Sequence, residues 1–242
     1  MQITKLNNHN EILGVTTTFY GHSCFGMEID GINLLFDPFI TPNPLAKEIK
    51  IDNIKADYIL ITHGHEDHVA DAVTIAQQTG AKIISNFEIV NWFQTKGIDN
   101  GHPMNLGGSW NFEFGTVKCV NAVHSSVMPD GVYGGNPMGF VIETNSFCFY
   151  HAGDTALTYD MKIIGENHEL DFAFLPLGDN FTMGPSDALL ASDYIGCDNI
   201  IGMHYDTFDY IKINHQITLE SFKKQGKTLT LPVVGNGFNP LI

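Results

Sequence analysis

The residues with the clearest capacity for chemistry form one six-residue stretch, His63-Gly64-His65-Glu66-Asp67-His68. Four of them are potential metal ligands. His63 and His65 are two positions apart, so in extended backbone their imidazoles leave the same side and can bind one ion. Asp67 and His68 lie where the chain turns, and we expect them to point toward a second ion close by. A capping role would explain Asp67 alone, but not three histidines at this spacing.

The elements around this motif indicate where it lies in the fold. The apolar, β-branched run at residues 58–62 predicts a buried strand directly before it. Residues 69–78 predict a helix directly after it, ended by Gly80, because glycine favours a left-handed C-cap. The motif therefore lies on a loop that leaves a strand and opens a helix. We expect Gly64, which has no Cβ, to let the backbone approach the metals.

Three more potential ligands follow predicted strands elsewhere in the chain, namely His124, Asp154 and His204. A single histidine at position 124 could be a loop residue held by hydrogen bonds, and Asp154 could be a helix cap. Because the chain already contains a metal motif, we favour a bridging role for Asp154, whose two oxygens can each hold one ion. Gly153 permits the close approach that this role requires. Whether His151 takes part is left open.

Two further residues are candidate catalytic contacts together with Asp67. His22 lies in a Gly-His-Ser turn between the first two predicted strands. A lone histidine there is more often structural, but its place at a strand end favours a position lining the site, and we assign it to neither ion. Asn180 follows another predicted strand, at the kind of strand exit where sites collect in α/β folds.

The predicted elements alternate in a way that favours two sheets packed face to face with helices outside. No linker or charge run marks a domain boundary, so we expect one domain over residues 1–242. The predicted strands are 15–20, 24–29, 32–36, 58–62, 82–85, 110–114, 116–123, 138–142, 147–150, 171–177, 199–203 and 228–234. The predicted helices are 69–78, 87–96, 187–196 and 217–225.

Composition limits the partners of the chain. Its 242 residues are 43% hydrophobic and 16% charged, which is ordinary for a globular protein. The formal net charge is −15, and all 12 basic residues are lysines. This balance argues against a nucleic-acid-binding surface, and the lack of arginine removes the side chain best suited to bidentate phosphate recognition. We therefore expect a small-molecule substrate and no nucleic-acid partner.

The cysteines and the apolar runs indicate the cellular compartment. Cys24, Cys119, Cys148 and Cys197 are far apart and form no Cys-x-x-Cys pair, so we expect buried, reduced thiols. Residues 1–10 lack the apolar core of a signal peptide, and no run approaches membrane-spanning length. We expect a soluble, cytoplasmic protein with no membrane partner, and a homo-oligomer is left open.

The His-x-His-x-Asp-His motif after a strand resembles the signature of the metallo-β-lactamase superfamily. The resemblance covers nearly the whole chain. In detail, the chain is similar to a family of uncharacterised metal-dependent hydrolases related to L-ascorbate-6-phosphate lactonase. It implies a four-layer αββα sandwich of the α/β class, the metallo-β-lactamase fold. The segments that carry it are ITHGHEDH, HSS, GFVIET, YHAGDT, GDNFTMGP and MHYDTF. The ligands it implies are His63, His65 and His124 for one ion, Asp67, His68 and His204 for the other, and Asp154 between them.

The resemblance also implies a reaction. Two divalent ions would activate a bridging hydroxide that attacks the substrate, and Asp67 would orient it and take its proton. We expect Zn²⁺, with Mn²⁺, Fe and Ni²⁺ as alternatives. Di-iron relatives typically carry Glu at the position of His65, which favours a hydrolase over an oxidoreductase. A small lactone, ester or amide is the expected substrate. The alternatives are a phosphodiesterase or ribonuclease Z-like nuclease of the same fold, and a non-catalytic metal-binding protein.

Overall fold

The computed structural model describes residues 14–242. The expectations of one domain over residues 1–242 and of no signal peptide at residues 1–10 therefore include residues outside the described part. The strands are β1 Val15–Gly21, β2 Cys24–Ile29, β3 Ile32–Phe36, β4 Tyr58–Leu60, β5 Lys82–Asn86, β6 Gly101–Met104, β7 Ser109–Phe112, β8 Gly115–Asn121, β9 Met138–Glu143, β10 Cys148–His151, β11 Phe172–Pro176, β12 Asn199–Met203, β13 Thr228–Thr230 and β14 Gly237–Phe238. The helices are α1 Glu66–Val69, α2 Ala72–Thr79, α3 Phe87–Thr95, α4 Asp160–Asn167, α5 Pro185–Tyr194 and α6 His215–Lys224.

The strands form two seven-stranded sheets. The first has the order β14-β1-β2-β3-β4-β5-β6, and the second has the order β13-β12-β11-β10-β9-β8-β7. Strand β2 is antiparallel to β1 and β3, while β3 to β6 are parallel, so β1 and β3 to β6 share one direction. Strand β9 is likewise antiparallel to β8 and β10, and β10 to β13 are parallel. Each sheet therefore gathers the carboxyl ends of several strands at one edge.

Alternating side chains place the first sheet between two apolar layers. Phe36 and Leu60 belong to the core shared with the second sheet, whereas their neighbours Leu35 and Ile59 belong to the core beneath helices. All four are fully buried. Successive residues of a strand point to opposite faces, which is why such strands are apolar throughout. Burial on both faces fixes the register of the strands, because a slip of one residue would exchange the side chains of one face with those of the other.

Helices cover the outer faces of both sheets. Ile75 of α2 and Phe93 of α3 pack in the outer core of the first sheet. Met161 of α4, Ala188 of α5 and Phe222 of α6 pack with the second sheet. The resulting order of layers, helix, sheet, sheet and helix, confirms the predicted four-layer αββα fold. Within residues 14–242, none of the helices is both long and apolar enough to cross a membrane.

One predicted helix is interrupted. The single helix predicted over 69–78 is wrong, because α1 and α2 are separated at Asp71. The backbone N–H of Asp71 donates to the carbonyl of Pro38 at 3.1 Å instead of continuing the helix. Its carboxylate accepts from the N–H groups of Ile40 (2.6 Å) and Thr41 (2.8 Å). The break therefore anchors the loop that follows β3.

Three elements were not predicted: β6, α4 and β14. Strand β6 contains Pro103, which argues against a central strand, but it lies at the edge of its sheet, where a missing donor is tolerated. Helix α4 contains Gly165, a poor helix former. A Cβ at Gly165 would lie 2.5 Å from the carbonyl oxygen of Tyr194, so glycine lets α4 pack against the end of α5. The four cysteines are buried, as predicted.

Candidate metal centre

The potential ligands lie just beyond the carboxyl ends of five strands. Two of these strands belong to the first sheet and three to the second, and within each sheet the carboxyl ends lie at the same edge. His22 follows β1, His63 follows β4, His124 follows β8, Asp154 follows β10 and His204 follows β12. Strand ends of this kind are a general location for sites in α/β folds. The packing of the two sheets brings these ends together, so residues up to 182 positions apart in sequence become neighbours.

The first cluster consists of His63, His65 and His124, whose potential ligand atoms all lie within 4.8 Å of one another. The Nε2 atom of His63 is 3.1 Å from the Nδ1 atom of His65. The ring of His124 is 5.1 Å from that of His63 and 5.0 Å from that of His65, between centroids. The other nitrogen of His65 is 3.3 Å from the hydroxyl of Ser125, the residue after His124. These are the three residues that the sequence assigned to one ion.

The second cluster consists of His22, Asp67, His68 and His204, again with ligand atoms within 4.8 Å of one another. His22 Nε2 is 3.1 Å from Asp67 Oδ2. The rings of His22 and His204 are 4.1 Å apart between centroids. This cluster contains the three residues predicted for the other ion, and it adds His22.

Asp154 lies between the two clusters. Its Oδ2 atom is 2.9 Å from His204 Nε2 and 3.4 Å from His68 Nε2, both in the second cluster. The same oxygen is 3.7 Å from His124 Nε2 in the first cluster. The helix that follows Asp154 begins only at Asp160, so Asp154 is not its cap.

Asp37 is a member of the site that the sequence reasoning missed. Its fully buried carboxylate accepts from His68 Nδ1 at 2.8 Å, from the Thr62 hydroxyl at 2.7 Å and from the Thr62 N–H at 2.8 Å. This contact fixes the His68 ring so that Nε2 faces the cluster, as outer carboxylates do at metal-binding histidines. A signal was present, because Asp37 ends the apolar strand β3 just as the ligands end theirs.

Burial and charge set the protonation of the metal-free site. Burial lowers the pKa of His63 well below its usual value, and it also lowers the pKa of His65 and His124. These imidazoles are therefore neutral near pH 7, with a lone pair available for a metal. Burial would also lower the pKa of His68, but the carboxylates of Asp154 and Asp37 outweigh it and raise that pKa well above its usual range.

The carboxylates of the site are ionised. Burial would raise the pKa of Asp154, but electrostatic interactions and hydrogen bonds with His204 and His68 hold that pKa well below its usual range. Burial would likewise raise the pKa of Asp67, but the hydrogen bond from His22 and the charge of His68 lower it. The site thus combines the neutral imidazoles of His63, His65 and His124 with two carboxylates, and imidazole and carboxylate together are the donor set expected for Zn²⁺ and related ions.

Unsatisfied polar atoms show that these residues fit a metal. His68 Nε2 and Asp154 Oδ1 are buried and have no hydrogen-bond partner. Leaving a buried polar atom unpaired costs about 1–3 kcal/mol. Two such atoms on neighbouring side chains, each able to bind a cation, are explained by a site built for metal ions.

Two glycines allow the close contacts of the site. A Cβ at Gly64 would lie 2.6 Å from Met128 Sδ and 3.2 Å from the carbonyl of Val127. The space at Gly64 is therefore used by the loop after His124, and the approach of Gly64 to metals stays a prediction. At Gly153, φ is +61°, and a Cβ would lie 2.8 Å from the Thr62 Cβ.

Two other residues weighed from the sequence lie outside both clusters. Asn180 is exposed, on the loop after β11, where its backbone N–H donates to the side chain of Asp179 at 2.9 Å. The structure does not bring it into the clusters, and its catalytic role stays a prediction. His151 is fully buried and stacks on Phe36 at 4.8 Å between centroids. Burial lowers its pKa to about 4, so it is a neutral part of the core.

Comparisons with known proteins agree with this geometry. A family model described as a β-lactamase superfamily domain matches residues 16–204. UPF0173 metal-dependent hydrolases of Flavobacterium johnsoniae and Christiangramia forsetii are 56% and 57% identical over 218 and 219 residues, which is 90% of this chain and 96% of each relative. The solved structure of Igni18, a metallo hydrolase of Ignicoccus hospitalis, matches with a TM-score of 0.84 and 34% identity over 93% of this chain and 98% of Igni18.

The sandwich fold and the histidine–aspartate site at its sheet edges define the class, an enzyme that hydrolyses its substrate with the help of metal. The chain belongs to the β-lactamase superfamily and, within it, to the UPF0173 metal-dependent hydrolases. The family resemblance inferred from the sequence is thereby confirmed.

Proposed function

We propose that this hydrolase uses two divalent metal ions and acts on a small lactone, ester or amide. The observation that carries the two-ion proposal is the position of Asp154, whose Oδ2 lies within 3.7 Å of ring nitrogens from both clusters. A carboxylate in that position can hold one ion in each cluster. The first cluster would hold one ion and the second cluster the other, with Asp154 shared.

The chain's own residues set what such ions can do. When bound, a pair of divalent ions polarises the bond to be cleaved and lowers the pKa of water toward neutrality. We expect Zn²⁺ from the imidazole-rich donor set, while Mn²⁺, Fe and Ni²⁺ fit the same donors. Asp37 and Thr62 hold the rings of His68 and His63 in place, so the donors need no rearrangement when the ions bind.

Asp67 is the residue best suited to handle a proton. Its carboxylate is ionised, and its side chain keeps 29% exposure, whereas Asp154 keeps 2%. Asp67 Oδ2 is fixed by His22 at 3.1 Å. In this proposal Asp67 orients the attacking water and accepts its proton at a carboxylate oxygen.

The overall charge of the chain supports an uncharged or weakly charged substrate. Within the described residues 14–242, the ion pairs of Lys96, Lys212 and Lys227 are formed with aspartates outside both clusters. A polyanion needs several free cationic groups to bind. With a net charge of −15, the chain favours a small lactone, ester or amide over a nucleic acid.

Exposed apolar side chains next to the first cluster support the same substrate class. Val123 directly precedes His124 and is 48% exposed. Val127 is 44% exposed, and its carbonyl lies against Gly64 in the motif. Apolar side chains beside a few polar groups are typical of small-molecule sites. They would contact the uncharged part of the substrate.

The metal content tests the two-ion proposal. Chelator-treated protein should regain about two ions per chain on incubation with Zn²⁺ or Mn²⁺, and activity should return with them. Asp154→Asn should weaken the binding of both ions, whereas Asp99→Asn, at an exposed aspartate outside the site, should bind them normally. Full activity with one ion per chain at saturating metal would reject the proposal.

A substrate panel tests the reaction. Reloaded protein would be assayed with lactones, esters, amides and phosphodiesters, and its binding to transfer RNA and to a DNA duplex would be titrated at physiological salt. We expect turnover among the first three classes and no measurable nucleic-acid binding. Micromolar RNA binding that weakens steeply with salt, together with phosphodiester cleavage, would instead support the nuclease alternative.

A further inference from the structure

We propose that His22 is a direct ligand of the ion held by the second cluster, through its Nε2 atom. The inference rests on the two-ion proposal above and goes beyond the ligand set inferred from the sequence, in which His22 was assigned to neither ion. It follows from the position of the ring, from the spacing of the donor atoms and from the hydrogen bond on the opposite side of the imidazole.

The main chain ties His22 firmly to another predicted ligand. Its carbonyl oxygen accepts from the N–H of His204 at 2.8 Å, so the ends of β1 and β12 are joined at this point. Both residues have left-handed backbone, with φ of +58° at His22 and +53° at His204. Non-glycine residues in this region are strained, and such strain collects at functional sites. The side chain of His22 is fully buried, so it has no alternative position in solvent.

The donor spacing fits coordination by one ion. With metal–ligand bonds of about 2.0–2.1 Å, neighbouring donors around a tetrahedral ion are about 3.3 Å apart. His22 Nε2 is 3.1 Å from Asp67 Oδ2, and both lie within 4.8 Å of the donor atoms of His68 and His204. His22 therefore occupies a position equivalent to the three expected ligands.

The opposite side of the His22 ring can hold the proton when Nε2 binds a metal. Nδ1 is 3.0 Å from the hydroxyl of Thr207, and that hydroxyl donates to the carbonyl of Tyr205 at 3.4 Å. With its proton used in this way, the Thr207 oxygen can accept a hydrogen bond from Nδ1–H of His22. In the metal-free site the proton on Nε2 makes the hydrogen bond to Asp67. A bound cation would replace that proton between two electron-rich atoms 3.1 Å apart, while Thr207 would hold the ring proton at Nδ1.

Two ligands expected from the sequence have the same arrangement. His63 Nδ1 is 3.0 Å from the hydroxyl of Thr62, which itself donates to a further oxygen, on Asp37. His68 Nδ1 donates directly to Asp37. Metal-binding histidines generally use their second nitrogen in this way, which fixes the tautomer and the ring orientation. Thr207 serves His22 as Thr62 serves His63.

The consequence is that the two metal sites are unequal. The second cluster offers four donors of its own, and the first cluster offers three, with Asp154 shared between them. An ion in the second cluster is therefore more completely surrounded by protein and should bind more tightly. The ion in the first cluster keeps more open positions, which are the ones available to substrate.

Cobalt titration of the chelator-treated protein tests the role of His22. The visible absorption of Co²⁺ depends on the number and type of its ligands, and elemental analysis gives the number of ions bound. His22→Gln places an amide N–H near the position of Nε2, so it can still donate to Asp67 but is a poor metal ligand. We expect this variant to bind the second-cluster ion at least about 100-fold more weakly, with the first-cluster spectrum unchanged.

Two further variants separate a ligand from a hydrogen-bond donor. Thr207→Val removes the hydroxyl that fixes the ring and should weaken the same ion by about 10-fold. His168→Gln, at a histidine beyond α4, should behave as the unaltered protein. Co²⁺ binding by His22→Gln with unaltered affinity and spectrum would overturn the proposal and leave His22 as a residue that only positions Asp67.

A measurement on the unaltered chain covers the case in which His22→Gln fails to fold. In protein loaded with ¹¹³Cd²⁺ and labelled with ¹⁵N at histidine, a direct ligand shows one-bond coupling between the metal and its ring nitrogen. We expect this coupling at Nε2 of His22, and its absence there would overturn the proposal. If the unaltered chain binds a single ion, the two-ion proposal fails, whereas the same coupling still decides whether His22 is a ligand of that ion.

Discussion

Side chains that face away from the centre of the site determine its geometry as much as the ligands do. Asp37 joins Thr62 and His68 through three hydrogen bonds of 2.7–2.8 Å. Because Thr62 in turn contacts His63, one buried carboxylate orients a histidine in each cluster. Hydrogen bonds to an ionised group contribute about 1.5–3 kcal/mol, so this arrangement resists rotation of the rings.

The substitution Asp37→Asn tests this orienting role. Asparagine has the same shape and tolerates the left-handed backbone at this position, where φ is +41°. It cannot accept all three hydrogen bonds, so we expect both ions to bind about 10- to 100-fold more weakly. Isothermal titration of metal into the apo-protein provides the measurement. Asp57→Asn, an exposed carboxylate at the start of β4, is the matched control, and equal metal affinity in the two variants would contradict the role of Asp37.

A second substitution, Asp67→Asn, tests the proton-accepting role proposed for this carboxylate. If Asp67 acts mainly in the transition state, kcat and kcat/KM should fall together by about 100-fold or more when metal is saturating. Steady-state kinetics with parallel metal analysis distinguish this from loss of an ion. The exposed neighbour Glu66 provides the control variant, Glu66→Gln. Near-normal turnover by Asp67→Asn with both ions bound would show that Asp67 is a ligand only.

At the scale of elements, the site depends on how chain segments leave their strands. Three residues directly beyond strand ends, His22, Asp37 and His204, have positive φ, which turns the backbone sharply at the sheet edge. The loop after β8 then lies across the motif: the Ser126 hydroxyl accepts from the Gly64 N–H at 3.1 Å. This contact links the position of His124 to that of His63 and His65.

The variant Gly64→Ala tests the link between motif and loop. The new methyl group would lie 2.6 Å from Met128 Sδ and 3.2 Å from the Val127 carbonyl, so the loop must move. We expect metal affinity of the first cluster to fall about 10-fold, measured by competition with a chelator. A second change, Met128→Ala, should restore part of the loss. Gly237→Ala, where the nearest atom is 3.7 Å away, should have no effect.

At the scale of the whole molecule, burial within the sandwich disfavours the protonated, charged form of the histidines in and around the site. His22, His63 and His151 are fully buried, and burial lowers the pKa of all three, to about 4 for His22 and His151. Burial thus keeps these imidazoles neutral at the cost of acid stability. His68 is the exception, since nearby carboxylates raise its pKa.

The metal-free protein should therefore lose stability as the pH falls from 7 to 5. Below about pH 6.5 the unfolded chain binds protons at His22, His63 and His151 that the folded chain excludes, so unfolding becomes more favourable. His68 acts in the opposite direction, but it is one group against these three and against His65 and His124, whose pKa values are also lowered. Each 1 kcal/mol lost lowers Tm by about 2–4 °C at this chain length. Calorimetry in chelator should show this fall, with a smaller slope for His22→Gln; a constant Tm would contradict it.

The sequence by itself determined the fold and most of the strands, and it predicted seven ligands. The strands β2, β3 and β12 were predicted at their observed bounds, because each is a mainly apolar run followed by a turn or a polar residue. Ligand candidates such as His124 and Asp154 were recognisable because they follow predicted strands in a chain that already contains a metal motif. A parallel arrangement of strands then gathers these ends at one edge, whatever the details of the loops.

Only the tertiary structure decided how these ends meet. That Asp154 reaches both clusters, and that the Nε2 of His22 faces Asp67, depends on the packing of two sheets, which no local pattern encodes. The division between α1 and α2 depends on hydrogen bonds between Asp71 and a loop about 30 residues earlier in the chain, which both accepts from Asp71 and donates to it. Local propensity is set by neighbours in sequence, whereas contacts between strand ends are set by the burial of both sheets against each other. The orienting role of Asp37 likewise depends on the tertiary structure, because its partners lie 25 and 31 positions further along the chain.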